Sequence, residues 1–276
     1  MRLAISNIAW DITEDEAVAA LLHDYQVDAI DIAPGKYFPD PANATLAEIA
    51  RVKTGWSVRG IEITGMQALL FGTTGLNLFG PAEVQKAMLE HLSAVCRIGG
   101  ALGAARLVFG SPKNRDRTGL SDAQTIDTAK AFLTQLGEVA AGEGVIICLE
   151  PNPECYGANF MTTSAETATV VRTVDHPAIR MQLDTGALTI NGEEPVDVLL
   201  KDVGLVGHIH ASEPNLVPLG DGGTDHAKMA NAIFGALPGH LVSIEMLSPP
   251  GVPHALAVER ALKVAVRHYR DREPNA

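Results

Sequence analysis

The sequence predicts an α/β protein: a (β/α)8 TIM barrel that forms a single domain over residues 1–276. Three observations predict it. Short apolar runs alternate strictly with longer amphipathic runs, which favours parallel strands joined by right-handed crossovers. Eight such repeats in 276 residues fit a closed barrel better than an open sheet. The strand-like runs are also almost continuously apolar, as strands buried on both faces should be.

The predicted strands are short apolar runs bounded by polar or turn-forming residues. In chain order they cover residues 2–10, 29–34, 61–71, 105–112, 145–152, 179–186, 205–213 and 241–247. The run "IRMQLD" at 179–184 is typical, because it reads as a buried strand and ends on a carboxylate. A lone carboxylate in an apolar interior is costly unless something neutralises it.

The predicted helices lie between the strands and carry apolar residues at helical spacing. In chain order they cover residues 14–25, 45–53, 81–102, 121–144, 162–174, 194–203, 226–237 and 254–269. Pro81 stands where the third helix begins, and Ser121 precedes the fourth as an N-cap signal. No linker divides the chain, and residues 270–276 are predicted to form a frayed polar tail.

The composition limits the kinds of molecule that we expect this protein to bind. The formal charge is −12, from 33 acidic and 21 basic residues, which disfavours a nucleic-acid partner. No apolar run approaches the ~18 residues of a membrane span, and the N-terminus has no signal-peptide pattern. The three cysteines, Cys96, Cys148 and Cys155, lack a disulfide spacing. We therefore expect a cytoplasmic protein with reduced thiols that acts on a small molecule, with no nucleic-acid or membrane partner.

Four consecutive strands end in a residue type that binds metals: Glu150, Asp184, His210 and Glu245. Neighbouring strands lie ~4.8 Å apart, so these side chains can converge at the C-terminal mouth of the barrel. Three carboxylates at that distance cannot all stay ionised without a cation. The donor set suits Mn²⁺, Mg²⁺ or Co²⁺, with Zn²⁺ possible. The alternative is four unrelated polar residues at the rim, which the recurrence on consecutive strands disfavours.

Further polar residues near these strand ends are candidates for substrate binding. His208 shares a strand face with His210, so we expect it to support the ligands from the layer below rather than to bind the metal. Glu154 and Tyr156 follow the fifth strand and could bond sugar hydroxyls, or could merely shape the loop. His226 lies in a glycine-rich loop that turn chemistry alone would explain.

A basic loop follows the fourth strand, in "GSPKNRDRTG" at residues 110–119. Lys113, Arg115 and Arg117 concentrate positive charge there in an otherwise acidic protein. One interpretation is a clamp for a phosphate or carboxylate of the substrate. The other is a solvated loop that pairs with acidic neighbours, which is the usual fate of charge runs.

The strings "CLEPNP", "MQLDTGA", "GHIHASE" and "SIEM" resemble the metal-binding strand ends of the xylose-isomerase-like TIM barrels. Within that superfamily the sequence is most similar to the sugar phosphate isomerase/epimerase branch that includes the ketose 3-epimerases. The resemblance implies that Glu150, Asp184, His210 and Glu245 bind the metal. It also implies that Glu150 and Glu245 are the acid/base pair, and that the protein is a homo-oligomer, a dimer or a tetramer.

Two positions depart from the ketose 3-epimerase pattern. That group carries a histidine in "LDT-x-H", where this chain has Ala187. It also tends to carry an arginine shortly after the metal-binding histidine, where this chain reads "SEPNL". Both residues are linked in the family to holding the sugar.

Together these features predict a divalent-metal-dependent epimerase or isomerase. It would abstract a proton next to the carbonyl of a ketose, sugar phosphate or sugar acid, through a metal-stabilised enediolate. One alternative is a dehydratase, a lyase of the same superfamily that acts on a keto-polyol or keto acid. The other is a non-catalytic sugar-binding barrel.

Overall fold

The computed structural model describes residues 1–270, so the predicted tail lies outside the described residues except for Arg270. Eight parallel strands pair in chain order, and the last pairs with the first to close the barrel. The strands are β1 Leu3–Ser6, β2 Ala29–Ile32, β3 Glu62–Met66, β4 Arg106–Phe109, β5 Ile146–Leu149, β6 Ile179–Asp184, β7 Val206–Ser212 and β8 Val242–Glu245. The predicted (β/α)8 fold is confirmed.

Helices surround the barrel. Within residues 1–270 the α-helices are α1 Asp15–Asp24, α2 Pro34–Tyr37, α3 Leu46–Ser57, α4 Ala82–Leu102, α5 Asp122–Gly142, α6 Ser164–Val174, α7 Thr185–Asn191, α8 Pro195–Asp202, α9 His226–Ala236 and α10 His254–Ala265. A π-helical turn, Val266–Arg270, follows α10. Among these helices, none is long and apolar enough to cross a membrane.

Capping residues explain where several helices begin and end. Ser121 caps α5 in a capping box with Gln124, as the sequence predicted for this start. Thr45 and Glu48 form the same box at α3. Helix α4 ends before Gly103, whose φ of +86° is a left-handed conformation that glycine adopts without strain.

The sequence did not predict α2 and α7. Helix α2 has only four residues, too few for a periodic pattern. Helix α7 begins directly after β6, so its start is hidden in the predicted strand 179–186. Asp184 ends the strand and also caps the helix, because its Oδ1 accepts a hydrogen bond from the backbone N–H of Ala187 at 2.6 Å.

Four strands, β1, β3, β4 and β5, have half their predicted length or less. The predicted strand 2–10 ends at Ser6, because Asn7–Ala9 form a 3-10 turn. The predicted strand 61–71 ends at Met66, and Ala68 then takes a left-handed φ of +53°. Apolar composition alone cannot distinguish a strand from the buried loop that continues it.

The apolar core lies inside the barrel and between the barrel and the helices. Cys96 and Cys148 are buried in these layers, and Cys155 is exposed. The barrel interior is not apolar throughout. A buried polar layer, which includes Asp31, Gln182 and His208, lies towards the C-terminal mouth, and the candidate site is built above it.

Candidate metal centre

The four predicted ligands converge at the C-terminal mouth of the barrel. Their ligand atoms all lie within 4.8 Å of one another. His210 Nδ1 is 3.3 Å from Glu150 Oε1, 3.3 Å from Glu245 Oε2 and 4.0 Å from Asp184 Oδ2. Strand register produces this geometry, since Asp184 pairs with His210 across β6 and β7. The imidazole therefore lies at the centre of a three-carboxylate group.

Neighbouring donors hold two of the carboxylates. Gln67 Nε2 donates to Glu245 Oε1 at 2.6 Å, which leaves Oε2 directed towards His210. Ser212 Oγ donates to Asp184 Oδ2 at 2.7 Å. Because their orientations are fixed before anything binds, these side chains form a preorganised set of ligands.

The third carboxylate, Glu150, depends on the loop that follows β4. Gly110 leaves space for it, because a Cβ at that position would lie 1.9 Å from Glu150 Oε2. Arg115 Nη1 donates to the backbone oxygen of Glu150 at 2.8 Å, and Asn152 Nδ2 donates to Oε2 at 3.2 Å. Among the described residues, the buried Oε1 atom has no hydrogen-bond partner.

The electrostatics of the group match those of a cation site. Burial, together with the neighbouring carboxylates of Glu245 and Glu150, raises the pKa of Asp184 to about 7. Burial alone would lower the pKa of His210, but Glu245 and Glu150 beside it raise that pKa well above the usual range. Three carboxylates and one imidazole, with one buried oxygen unpartnered, fit a divalent cation of the oxygen-preferring class.

A cavity with two lobes opens over this group. The lobes have volumes of 270 and 420 Å³ and share Glu150, Asn152, Leu216 and Glu245 in their walls. The first lobe is mainly apolar and includes Ile8, Leu69, Leu70, Phe71, Val108, Phe109 and Lys113. The second includes Tyr156, Ala187, Glu213 and Asn215. The cavity thus has an apolar side and a more polar side, with the carboxylates between them.

Two predicted substrate-binding residues lie in the cavity wall. Lys113 is exposed in the first lobe, with Nζ 3.4 Å from the backbone oxygen of Thr73. Tyr156 lies in the second lobe, and its hydroxyl accepts a hydrogen bond from the backbone N–H of Asn215 at 2.6 Å. The hydroxyl proton of Tyr156 remains available to a ligand. Glu154 instead lines a neighbouring polar pocket at the rim.

The other three candidates are buried away from the cavity wall. Arg115 is 1% exposed and holds the backbone of Glu150, so its position supports that role rather than the predicted clamp. His226 is 4% exposed, between Glu213 at 3.0 Å and Tyr269 at 2.8 Å, and does not reach the substrate space. His208 lies below the ligands, as expected of a supporting residue.

Sequence reasoning missed two residues of the site. Gln67, which orients Glu245, was included in the predicted apolar strand 61–71, although it is the one amide in that run. Glu213 follows β7 and lines the second lobe while accepting bonds from the backbone N–H groups of Gly220 and Thr224. A carboxylate directly after a strand was the signal that could have identified it.

Comparison with known proteins agrees with this geometry. The family model of the xylose isomerase-like TIM barrel matches residues 19–270. L-ribulose 3-epimerase superposes with a TM-score of 0.80 at 18% identity, covering 97% of this chain and 94% of that one. D-psicose 3-epimerase from Clostridium cellulolyticum H10, solved with D-tagatose, gives 0.79 at 18%, covering 98% of each chain. The 3-keto-D-glucoside 4-epimerase of E. coli gives 0.78 at 16%, covering 97% and 99%.

No curated protein sequence is significantly similar to this chain. At such low identity, the solved structures establish the fold alone. The match to the family model is of a different kind, because it spans most of the sequence and includes the four strand ends that converge here. The chain therefore belongs to the xylose isomerase-like TIM barrel family.

Proposed function

We propose that this protein is a divalent-metal-dependent sugar epimerase or isomerase that moves a proton on a carbon next to a carbonyl. The convergence of Glu150, Asp184, His210 and Glu245 beneath a cavity carries the proposal. The names of its structural neighbours support it, since they describe epimerases of D-psicose, L-ribulose and a 3-keto-D-glucoside.

The four converging residues would hold the ion, with Mn²⁺, Mg²⁺ or Co²⁺ favoured by the oxygen-rich donor set. When bound, a divalent cation polarises a carbonyl and stabilises negative charge on its oxygen. The protein's contribution is to keep three carboxylates and one imidazole close together in a largely buried site. Gln67 and Ser212 fix two of the carboxylates from outside the group.

Glu150 and Glu245 would act as the acid/base pair. Glu150 directly follows β5 and Glu245 ends β8, and each lines both lobes, so a substrate in the cavity would contact both. Transfer of a proton to one glutamate and its return from the other, on the opposite face, inverts the carbon. Return by the same glutamate to the neighbouring carbon exchanges aldose and ketose. Each general acid or base typically contributes ~10²–10⁴-fold to the rate.

Substrate recognition in this chain would differ from that of the ketose 3-epimerases. Ala187 and Leu216 occupy the region where that group carries a histidine and an arginine, and both line the cavity. The polar residues that line the cavity here include Tyr156 and Asn215 in the second lobe and Lys113 and Ser111 in the first. Lys113 favours a substrate with a phosphate or carboxylate at one end, a sugar phosphate or sugar acid.

The test follows hydrogen exchange directly. Metal-free protein, with and without added Mn²⁺ or Co²⁺, is incubated in D2O with ketoses, ketose phosphates and keto acids. NMR should show metal-dependent deuterium at the carbon next to the carbonyl. Glu245→Gln should abolish it, whereas Glu83→Gln, on the exposed first turn of α4, should not.

The absence of metal-dependent exchange across the whole panel would refute the proposal. A product lighter by the mass of water would assign the protein to the dehydratases instead. The cytoplasmic location and the homo-oligomeric state stay predictions, and size-exclusion chromatography with light scattering measures the second.

A further inference from the structure

A carboxylate–imidazole pair is buried inside the barrel beneath the metal centre. Asp31 Oδ2 and His208 Nε2 are 2.8 Å apart, and the two residues are 1% and 3% exposed. Thr64 Oγ1 donates to Asp31 Oδ1 at 3.1 Å. Neither Asp31 nor His208 lines the cavity, so their role is not to bind a substrate there.

The backbone of β3 is adapted to make room for Asp31. Opposite Ile30 and Asp31 the β3 partners skip from Ile63 to Gly65, so β3 carries one extra residue, Thr64, while β2 stays regular. Gly65 consequently lies opposite Asp31. A Cβ on Gly65 would lie 2.5 Å from Asp31 Oδ1, so only glycine leaves room for the carboxylate. Burying a charge costs free energy, and an adapted backbone around it indicates a specific role.

The pair contacts the metal centre through His210. The His208 and His210 rings pack edge to face with centroids 5.3 Å apart. Ligand atoms of Asp31, His208 and His210 lie within 4.8 Å of one another. His210 Nδ1 faces Glu150 and Glu245, whereas the buried Nε2 has no hydrogen-bond partner among the described residues. If Nδ1 binds a cation, the ring proton must be on Nε2.

We propose that Asp31 and His208 are positioning residues for His210. They hold its ring with Nδ1 towards the three carboxylates through the edge-to-face packing of His208 on His210. A ligand histidine commonly depends on such a second layer for its orientation and tautomer. This inference rests on the proposed function only in requiring that the four-residue group binds a metal.

The experiment measures metal binding, independently of turnover. The metal-free full chain is titrated with Co²⁺ by calorimetry, and the visible spectrum of bound Co²⁺ is recorded. Asp31→Asn and His208→Ala should each weaken binding ~10–100-fold and change the spectrum. His208→Gln keeps an N–H donor for Asp31, so its affinity should return towards that of the wild type.

Asp202→Asn is the matched control. Asp202 is a buried carboxylate, 5% exposed, that pairs with Arg172 at the end of α8, away from the site. Its removal should leave the Co²⁺ affinity and spectrum unchanged. Circular dichroism of the metal-free variants establishes that they are folded.

Wild-type Co²⁺ affinity and spectrum in folded Asp31→Asn would overturn the inference and leave the proposed function standing. Should Asp31→Asn not fold, equal affinities of His208→Ala and His208→Gln would overturn it. Two ions per chain would also overturn it, because Asp31 and His208 would then be ligands themselves. A wild-type protein that binds no ion at neutral pH would instead refute the proposed function.

Discussion

Gly110→Ala is the sharpest test of the role given to Glu150. The added Cβ would lie 1.9 Å from Glu150 Oε2 and 3.0 Å from its Cδ. Ordinary contact begins at 3.4 Å, so the carboxylate oxygen must move by about 1.5 Å. The moving atom is the end of a flexible side chain, and Gly110 has no left-handed φ that alanine would resist. We therefore expect the fold to survive with a free energy of unfolding within about 1 kcal/mol of the wild type.

Function should respond much more strongly than stability. A displacement of ~1 Å in a reacting group can cost ~10²-fold in rate, so we expect at least ~100-fold slower metal-dependent deuterium exchange. Calorimetry should also show weaker Co²⁺ binding, because Glu150 is both a ligand and a base in this proposal. The assay combines exchange by NMR, Co²⁺ titration and thermal unfolding on the same preparation.

Gly235→Ala is the matched control, because a Cβ at Gly235 in α9 meets nothing within 4 Å. It should leave exchange unchanged and stabilise the protein by about 0.4–1 kcal/mol. If Gly110→Ala keeps the wild-type exchange rate and Co²⁺ affinity, the position of the Glu150 carboxylate does not matter. The acid/base role assigned to it would then be refuted.

Three further predictions follow from the site. Co²⁺ at 100 times its Kd should raise the free energy of unfolding by about 2.7 kcal/mol, and a chelator should reverse this in a thermal melt. Burial raises the pKa of Glu213, but the side chains of His226 and Thr224 and the backbone N–H groups around it lower that pKa to about 2. The stabilisation that ionised Glu213 gives to the fold, about 3 kcal/mol, is therefore complete above pH ~4.5 and is lost as the pH falls towards 2. In urea unfolding, Glu213→Gln should remove that part of the pH dependence of the free energy of unfolding. Lys113→Met should raise KM at least ~10-fold for a phosphorylated or carboxylated substrate and leave KM for a neutral ketose unchanged. Equal changes in KM for the two kinds of substrate would contradict the role of Lys113 as an anion clamp.

The barrel and the convergence of Glu150, Asp184, His210 and Glu245 could be predicted from the sequence for one physical reason. In this fold the C-terminal ends of all strands meet at one mouth, so residues that are far apart in sequence converge without knowledge of any loop. Asp184 and His210 needed only their strands to be recognised. The alternation of buried faces then placed His208 one layer below His210, where the structure has it.

The other residues around the site could not be predicted, because their positions depend on backbone details that composition does not encode. Gln67 reaches Glu245 only because β3 ends at Met66 and the chain turns, whereas the apolar run predicted a longer strand. Gly65 lies opposite Asp31 only because β3 carries an extra residue, Thr64, which no local pattern signals. Arg115 was expected in a charged loop, but the 3-10 turn Pro112–Arg115 folds back and buries it against Glu150. That a residue is charged predicts neither whether its side chain is buried nor where the side chain points.

The four converging residues lie at strand ends, whereas the residues of the cavity wall lie in the segments that follow the strands. This difference explains which departures from the family pattern are tolerable. The ligands lie on or directly beside rigid strands, where a small displacement would separate them. Ala187 and Leu216, which replace the residues expected to hold a sugar, lie beyond the strands in the first turn of α7 and in the loop after β7. Segments there can change without moving β6 or β7. On the proposed function, a chain that keeps all four of these residues while altering those walls would retain the proton chemistry and act on a different molecule.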